Sequence, residues 1–202
     1  MTNFGGTFED MAAQVPPTII GPPRGKHVNR DEVHRLESLG LLTGRYELIE
    51  GELVDKMGHN APHAYVVRLM FLWIVRVLGG DRAQCQLPIE VAVDDQQLNE
   101  PLPDIAALRV MPPELKGRHP RGDELLLVVE VGDSSVRFDL TVKADLYARA
   151  GVPEYWVVDI PNRMLVVHRH PEKGAYRQVE GFNEAEMVSF GGANFQISSF
   201  LP

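Results

Sequence analysis

Apolar residues recur at helical spacing in three stretches of the chain. Val33, Leu36 and Leu39 follow Asn29, with Glu32 three residues behind it as in a capping box, and Gly40 ends the run. Val66, Leu69, Met70, Trp73, Ile74 and Val77 form a stripe over roughly 61–78, with Asn60 in the cap position and Gly79-Gly80 behind it. A third helix is expected to start at Ser134 or Ser135 and to run to Ala150, where Gly151 closes it. Between the helices the period shortens. RYELIEGELVDKM (45–57) predicts two short strands about a turn at Glu50-Gly51, and further strands are expected at 84–93, 104–110, 124–131, 154–160 and 163–170. Two weaker strands are expected within 175–197. The 124–131 stretch, ELLLVVEV, is almost unbroken in aliphatics, which suits a central strand covered on both faces. This order predicts an α/β fold, a mixed central β-sheet flanked by α-helices.

The first 29 residues interrupt the pattern. They carry Gly5-Gly6, Pro16-Pro17 and Pro22-Pro23 without any period, and are read as an N-terminal arm preceding one domain over 30–202. Acidic residues outnumber basic ones 28 to 20 in the 202-residue chain, a formal net charge of −8. That balance argues against a protein that coats nucleic acid or an anionic membrane through bulk positive field. The single cysteine, Cys85, excludes an intrachain disulfide framework. The apolar run Leu69–Val75 is too short and too closely flanked by Arg68 and Arg76 to predict a membrane span. No basic stretch followed by an apolar one opens the chain, so a cytoplasmic location is expected.

Several familiar chemistries are absent. The sequence has no GxG for a dinucleotide, no GxxxxGK[ST] phosphate loop and no GxSxG serine elbow. His59 and His63 have the four-residue spacing of a helical zinc pair, but Pro62 and the Asn60 cap place His59 ahead of the helix, so the two are not expected to share a face. His168 and His170 are expected side by side on an exposed edge strand.

The informative residues lie between 104 and 143. Pro103-Asp104 puts a carboxylate where a strand begins, and Glu130 stands in the most aliphatic strand, where an acid is costly unless paired, protonated or bound to a cation. Asp139, Lys143 and Tyr147 follow at i, i+4 and i+8, on roughly one helical face. Two strand-borne carboxylates suit a hard divalent cation such as Mg²⁺, and a nearby lysine suits orienting or deprotonating a water and stabilising charge on a phosphate. Plainer readings stand beside these: Asp104 as a turn residue, Asp139–Lys143 as a surface ion pair, and Glu130 as the partner of an internal base.

The run YELIEGELV (46–54), His63, Pro103-Asp104, LLLVVEV (125–131) and the pattern D-x3-K-x3-Y-x3-G-x2-EYW-x2-D over 139–159 resembles the Uma-type restriction-endonuclease family, formerly a domain of unknown function, within the PD-(D/E)xK nuclease superfamily. The resemblance runs from about residue 30 to the C-terminus. It implies a restriction-endonuclease-like fold and a metal-dependent endodeoxyribonuclease using Mg²⁺ (or Mn²⁺). Asp104 and Glu130 match the metal-binding acids and Lys143 the catalytic lysine, relocated to the helix because Gly132 stands where the superfamily has lysine. Glu47 matches a further acid that would complete the metal shell through water, and His63 a histidine that would contact phosphate or position water. Tyr147, Tyr155 and Trp156 match family positions whose default role is packing, Glu50 and Glu52 are expected to be solvated, and Asp159 is expected to close its strand as a turn residue or cap. DNA is the implied partner. The loop ELKGRHPRGD (114–123), with Lys116, Arg118 and Arg121, lies between the two acids in sequence and either overhangs the site or is a solvated surface loop, and Arg24, Lys26 and Arg30 would extend a basic rim if the N-terminal arm folds over. A homodimer would suit cleavage of both strands. Two other classes stay open: a catalytically inactive nuclease-like domain serving nucleic-acid or protein interaction, and a metal-free hydrolase using Asp104 and Glu130 as an acid/base pair.

Overall fold

Both early helices form where local signals are densest. In the computed structural model, which describes residues 27–56 and 60–202, α1 (Arg30–Ser38) carries the complete reciprocal capping box between Asn29 and Glu32. Helix α2 (Ala61–Leu78) has the Asn60 side chain accepting from the His63 amide, and it ends at Gly79, whose φ of 95° few other residues adopt. The hairpin β1 (Tyr46–Ile49) and β2 (Glu52–Asp55) turns at Glu50-Gly51, both at positive φ. The proposed N-terminal arm, with Arg24 and Lys26, and also His59, lie outside the described residues apart from the arm's last three positions.

Six strands make the central sheet in the order β3-β4-β5-β6-β7-β8. These are β3 (Ala83–Cys85), β4 (Ile105–Leu108), β5 (Leu125–Gly132), β6 (Glu154–Asp159), β7 (Met164–Glu172) and β8 (Ala175–Asn183). Only β5 and β6 run parallel, and a helical crossover joins them, as a parallel pair requires. The mixed sheet of the α/β expectation is therefore present. A single turn, α3 (Pro112–Leu115), sits in the β4–β5 connection, and a second hairpin, β9 (Met187–Phe190) with β10 (Ala193–Gln196), follows the sheet.

Side chains alternate across β5, and this alternation builds two cores. Leu127, Val129 and Val131 face α2, packing with Val66, Met70, Ile74, Trp156 and Phe195. Val128 faces the opposite way, towards Ala144, Tyr147, Tyr155 and Val157 beneath the crossover. Among the described residues α2 alone is long and apolar enough to cross a membrane, but its inner stripe is spent on the first core.

Three expectations of local structure need correction. The strand expected over 84–93 stops at Cys85, because Gln86 takes a left-handed φ of 52° and Pro88 has no amide to donate. The region 175–197 holds three strands rather than two. The third helix is a run of three pieces: α4 (Val136–Phe138), a π turn over Asp139–Lys143, and α5 (Ala144–Arg149). His168 is also not on an edge. Strand β7 lies between β6 and β8, so His168 is buried beside Tyr155 and Tyr176, at ring distances of 5.2 and 5.6 Å, while His170 is exposed.

Candidate active site

The strand register brings the two central acids together. Ile105 pairs with Val129 and Ala106 with Val128 across antiparallel β4 and β5, so Asp104 and Glu130 fall at adjacent positions where the pair ends. Both are 1% exposed. Asp104 Oδ2 accepts from the Val131 amide at 2.9 Å and lies 3.1 Å from His63 Nε2, which donates from the first turn of α2. Its other oxygen, Oδ1, is buried and has no hydrogen-bond partner among the described residues.

Glu130 is held from the opposite side by the crossover. Lys143 Nζ donates to Glu130 Oε1 at 2.9 Å and the Tyr147 hydroxyl to the same oxygen at 2.7 Å. Lys143 also lies 2.7 Å from Glu47 Oε1 and 3.6 Å from Asp139 Oδ1. A π turn runs through Asp139–Lys143, and the Thr141 hydroxyl within it donates to the Arg137 carbonyl at 2.7 Å. Asp139 Oδ2 accepts from Ser135 Oγ at 2.7 Å, and Glu47 Oε2 accepts from the Leu102 amide at 3.2 Å.

A second lysine completes the cluster. Lys56, just past β2, places Nζ 3.2 Å from Glu130 Oε2 and 3.8 Å from both Asp104 Oδ1 and Glu47 Oε1. The side chains line a cavity of about 200 Å³ with Asn60, Asp133 and Ser135.

The electrostatics follow from this crowding. Burial alone would push the Lys143 ammonium towards neutrality, but Glu130, Glu47 and Asp139 outweigh it and hold the group well above the usual lysine range. Burial likewise opposes ionisation of Asp104, yet hydrogen bonds from His63 and Val131 and the charge of Lys56 hold it well below the usual carboxylate range. Burial and the neighbouring Glu130 charge push Asp139 up to about 6, against Lys143 and Ser135. Glu47 is raised by burial, with both lysines opposing. Four carboxylates, those of Glu47, Asp104, Glu130 and Asp139, face the two ammonium groups of Lys56 and Lys143.

All five sequence-derived site residues, Glu47, His63, Asp104, Glu130 and Lys143, therefore meet in one place. Asp139 and Lys143 are not a surface pair, since both are 2% exposed. Tyr147 does more than pack, because its hydroxyl fixes Glu130. Tyr155, by contrast, donates to the Asp139 carbonyl, Glu50 pairs with exposed Arg149, and Asp159 accepts from Asn162 as a turn residue. Lys56 was not singled out by the sequence: its partners come from β1, from the residue that precedes β4 and from β5, and a lone lysine after a hairpin carries no spacing signal. The basic loop is displaced. It joins the far ends of β4 and β5, roughly 16 Å of strand from Glu130 at 3.3 Å per residue, and Arg118 and Arg121 pair there with Glu124. Arg30 is likewise engaged with Glu90 and Glu100 and makes no free basic rim.

Gly132 has a steric cause. A Cβ there would lie 2.7 Å from Val136 Cγ2 and 3.0 Å from its Cα, so the start of α4 leaves no room for the lysine of the superfamily pattern. Lys143 reaches Glu130 from above instead.

A family model described as "putative restriction endonuclease", Uma2, matches residues 30–197. The chain belongs to that family. Membership of Uma2 assigns it, in general terms, to the nucleases, proteins that act on phosphodiester bonds. A crystal structure titled as a "putative nuclease" of DUF820 from Anabaena variabilis matches with a TM-score of 0.61 at 18% identity, covering 82% of this chain and 96% of that one, and establishes the shared fold. No curated protein matches the sequence.

Does this Uma2 site suit a divalent cation? Among the described residues no three acidic, histidine or cysteine side chains form a ready ligand set as the chain stands, because ammonium groups lie between the carboxylates. The donors nevertheless fit: hard oxygen atoms, a surplus of negative charge, and a buried Asp104 oxygen without a hydrogen bond. Asp104 Oδ1 lies 3.8 Å and Glu130 Oε2 3.2 Å from the same nitrogen, Lys56 Nζ, so both oxygens face one point in the cavity.

Proposed function

We propose that the chain is a divalent-metal-dependent endodeoxyribonuclease that hydrolyses DNA phosphodiester bonds, with Mg²⁺ or Mn²⁺ held by Asp104 and Glu130. The observation that carries this reading is a cluster of four buried carboxylates around two ammonium groups, gathered at the paired ends of β4 and β5 in a nuclease family. When bound, such a cation would polarise a phosphodiester oxygen and lower the pKa of a water.

The chain's own residues take distinct parts. His63 and the Val131 amide fix Asp104 through Oδ2 and leave Oδ1 for a ligand. Tyr147 and Lys143 fix Glu130 through Oε1 and leave Oε2. Lys143 is held charged by three carboxylates, so it donates; it would orient a water and stabilise charge building on phosphate. Glu47 and Asp139 keep that ammonium in place.

Supercoiled plasmid incubated with purified protein and Mg²⁺ or Mn²⁺ tests the proposal. Wild-type protein is expected to nick it, while EDTA, Asp104→Ala and Glu130→Ala each abolish nicking. Equal nicking by the variants would mark a contaminant and overturn the reading, and activity surviving EDTA would favour a metal-free acid/base pair.

A further inference from the structure

Each proposed metal ligand has one oxygen committed to the fold and one left over, and both leftover oxygens face the same ammonium group. Asp104 Oδ2 takes the His63 and Val131 hydrogen bonds, and Glu130 Oε1 takes those of Lys143 and Tyr147. Lys56 Nζ stands 3.8 Å from Asp104 Oδ1 and 3.2 Å from Glu130 Oε2. We propose that Lys56 is a built-in substitute for the divalent cation, occupying its position until the metal displaces it. The inference rests on the nuclease reading above and adds a residue that competes for the metal's position.

The two lysines differ in how firmly they are held. Lys143 has carboxylate oxygens at 2.7, 2.9 and 3.6 Å, and its side chain is 2% exposed under the crossover. Among the described residues Lys56 has one contact short enough for a hydrogen bond; its side chain is 12% exposed, and it sits beyond the last residue of a two-stranded hairpin. A flexible four-carbon stem lets such an ammonium reach water by breaking one hydrogen bond, whereas Lys143 would have to break closer contacts to two carboxylates. Mg²⁺ requires oxygen atoms at about 2.0–2.1 Å, and no ammonium can share the space between the same two oxygens at that range. Without metal, Lys56 offsets part of the carboxylate surplus and lets the site fold closed. With metal, it becomes redundant there and moves to the mouth of the cavity.

Two measurements test this on the full chain. The first is calorimetric titration of Mn²⁺ into wild-type protein, Lys56→Met and Lys56→Met/Glu130→Ala. Lys56→Met is expected to bind Mn²⁺ about tenfold more tightly than wild type, the scale of one charge-assisted hydrogen bond that no longer has to be broken. The double variant is expected not to bind. Loss of a merely structural contact would weaken binding, not tighten it. The second needs no variant: amine acetylation of wild-type protein, read by mass spectrometry, should modify Lys56 several-fold faster in saturating Mn²⁺ while Lys143 stays protected. Unchanged or weaker affinity in Lys56→Met, or Lys56 labelling indifferent to bound Mn²⁺, overturns the inference and leaves the nuclease reading standing. Absence of Mn²⁺ binding by both wild type and Lys56→Met overturns both. Should Lys56→Met fail to fold, the labelling of wild-type protein decides alone.

Discussion

Lys143 donates to Glu130 across 2.9 Å from a helix thirteen residues further along the chain, above a strand end whose Gly132 has no room for a side chain. Lys143→Ala is expected to retain Mn²⁺ binding and to lose cleavage by roughly 10²–10³-fold, the usual cost of deleting a donor that meets developing charge. Single-turnover cleavage, compared with calorimetric Mn²⁺ affinity on the folded fraction of each protein, checks the split.

Returning the lysine to its superfamily position should not rescue that loss. Gly132→Lys/Lys143→Ala forces a Cβ to within 2.7 Å of Val136, and the start of α4 must shift to admit it. Gly132→Ala alone is expected to cost about 1–3 kcal/mol as an overpacked core position. Urea unfolding of Gly132→Ala measures that cost, and cleavage by the double variant at wild-type rate would refute the steric account.

His63 acts through Asp104, and its removal should be felt in the metal. The imidazole holds Oδ2 at 3.1 Å and so sets where Oδ1 points. His63→Ala is expected to weaken Mn²⁺ binding about 10–100-fold, the typical loss when a group that orients a ligand is removed. His63→Gln, which keeps a donor, should recover part of it. Calorimetry on both variants distinguishes orientation from simple loss of packing, which the glutamine would not restore.

The legibility of these residues in the sequence depended on how local their partners are. The Asn29–Glu32 box and the Asn60 and Gly79 ends of α2 were readable because capping is satisfied within a few residues. Glu130 was readable because an acid among six aliphatics asks for an explanation that its neighbours do not supply. Lys56 was not, since nothing near it in the chain foretells carboxylates arriving from β1, from the residue that precedes β4 and from β5. Sequence adjacency also misled. Residues 114–123 lie between Asp104 and Glu130 in order, but an antiparallel connection carries them to the opposite end of both strands. The error over His168 has the same origin, because whether a strand is central or at an edge is a property of the sheet, not of the strand.

That burial of His168 makes stability sensitive to acid. Burial lowers its pKa below the ordinary 6.5, against a weaker opposing effect of the contact with the Tyr155 carbonyl. The unfolded chain therefore takes up the proton more readily than the folded one. The stability contributed by the neutral ring is complete above about pH 6.5 and is lost as pH falls through the lower folded value. Wild-type protein should lose more Tm between pH 7.5 and 5 than His168→Gln, which cannot titrate; parallel Tm curves would show that His168 does not carry the effect.

DNA binding should depend on divalent ions more than on the basic loop. The cavity carries more carboxylate than ammonium charge, which repels phosphate until a cation enters and locally reverses the sign. Lys116, Arg118 and Arg121 cannot compensate, because they stand at the far end of the sheet and the two arginines are paired with Glu124. In fluorescence anisotropy with a short labelled duplex, binding is expected to be weak in EDTA and at least tenfold tighter in Ca²⁺, an oxygen-seeking divalent ion. Asp104→Ala should remove the Ca²⁺ effect, and Arg118→Ala/Arg121→Ala should leave it intact. Tight binding in EDTA, or its loss in the arginine variant, would move the DNA to the basic loop and away from the carboxylate cluster.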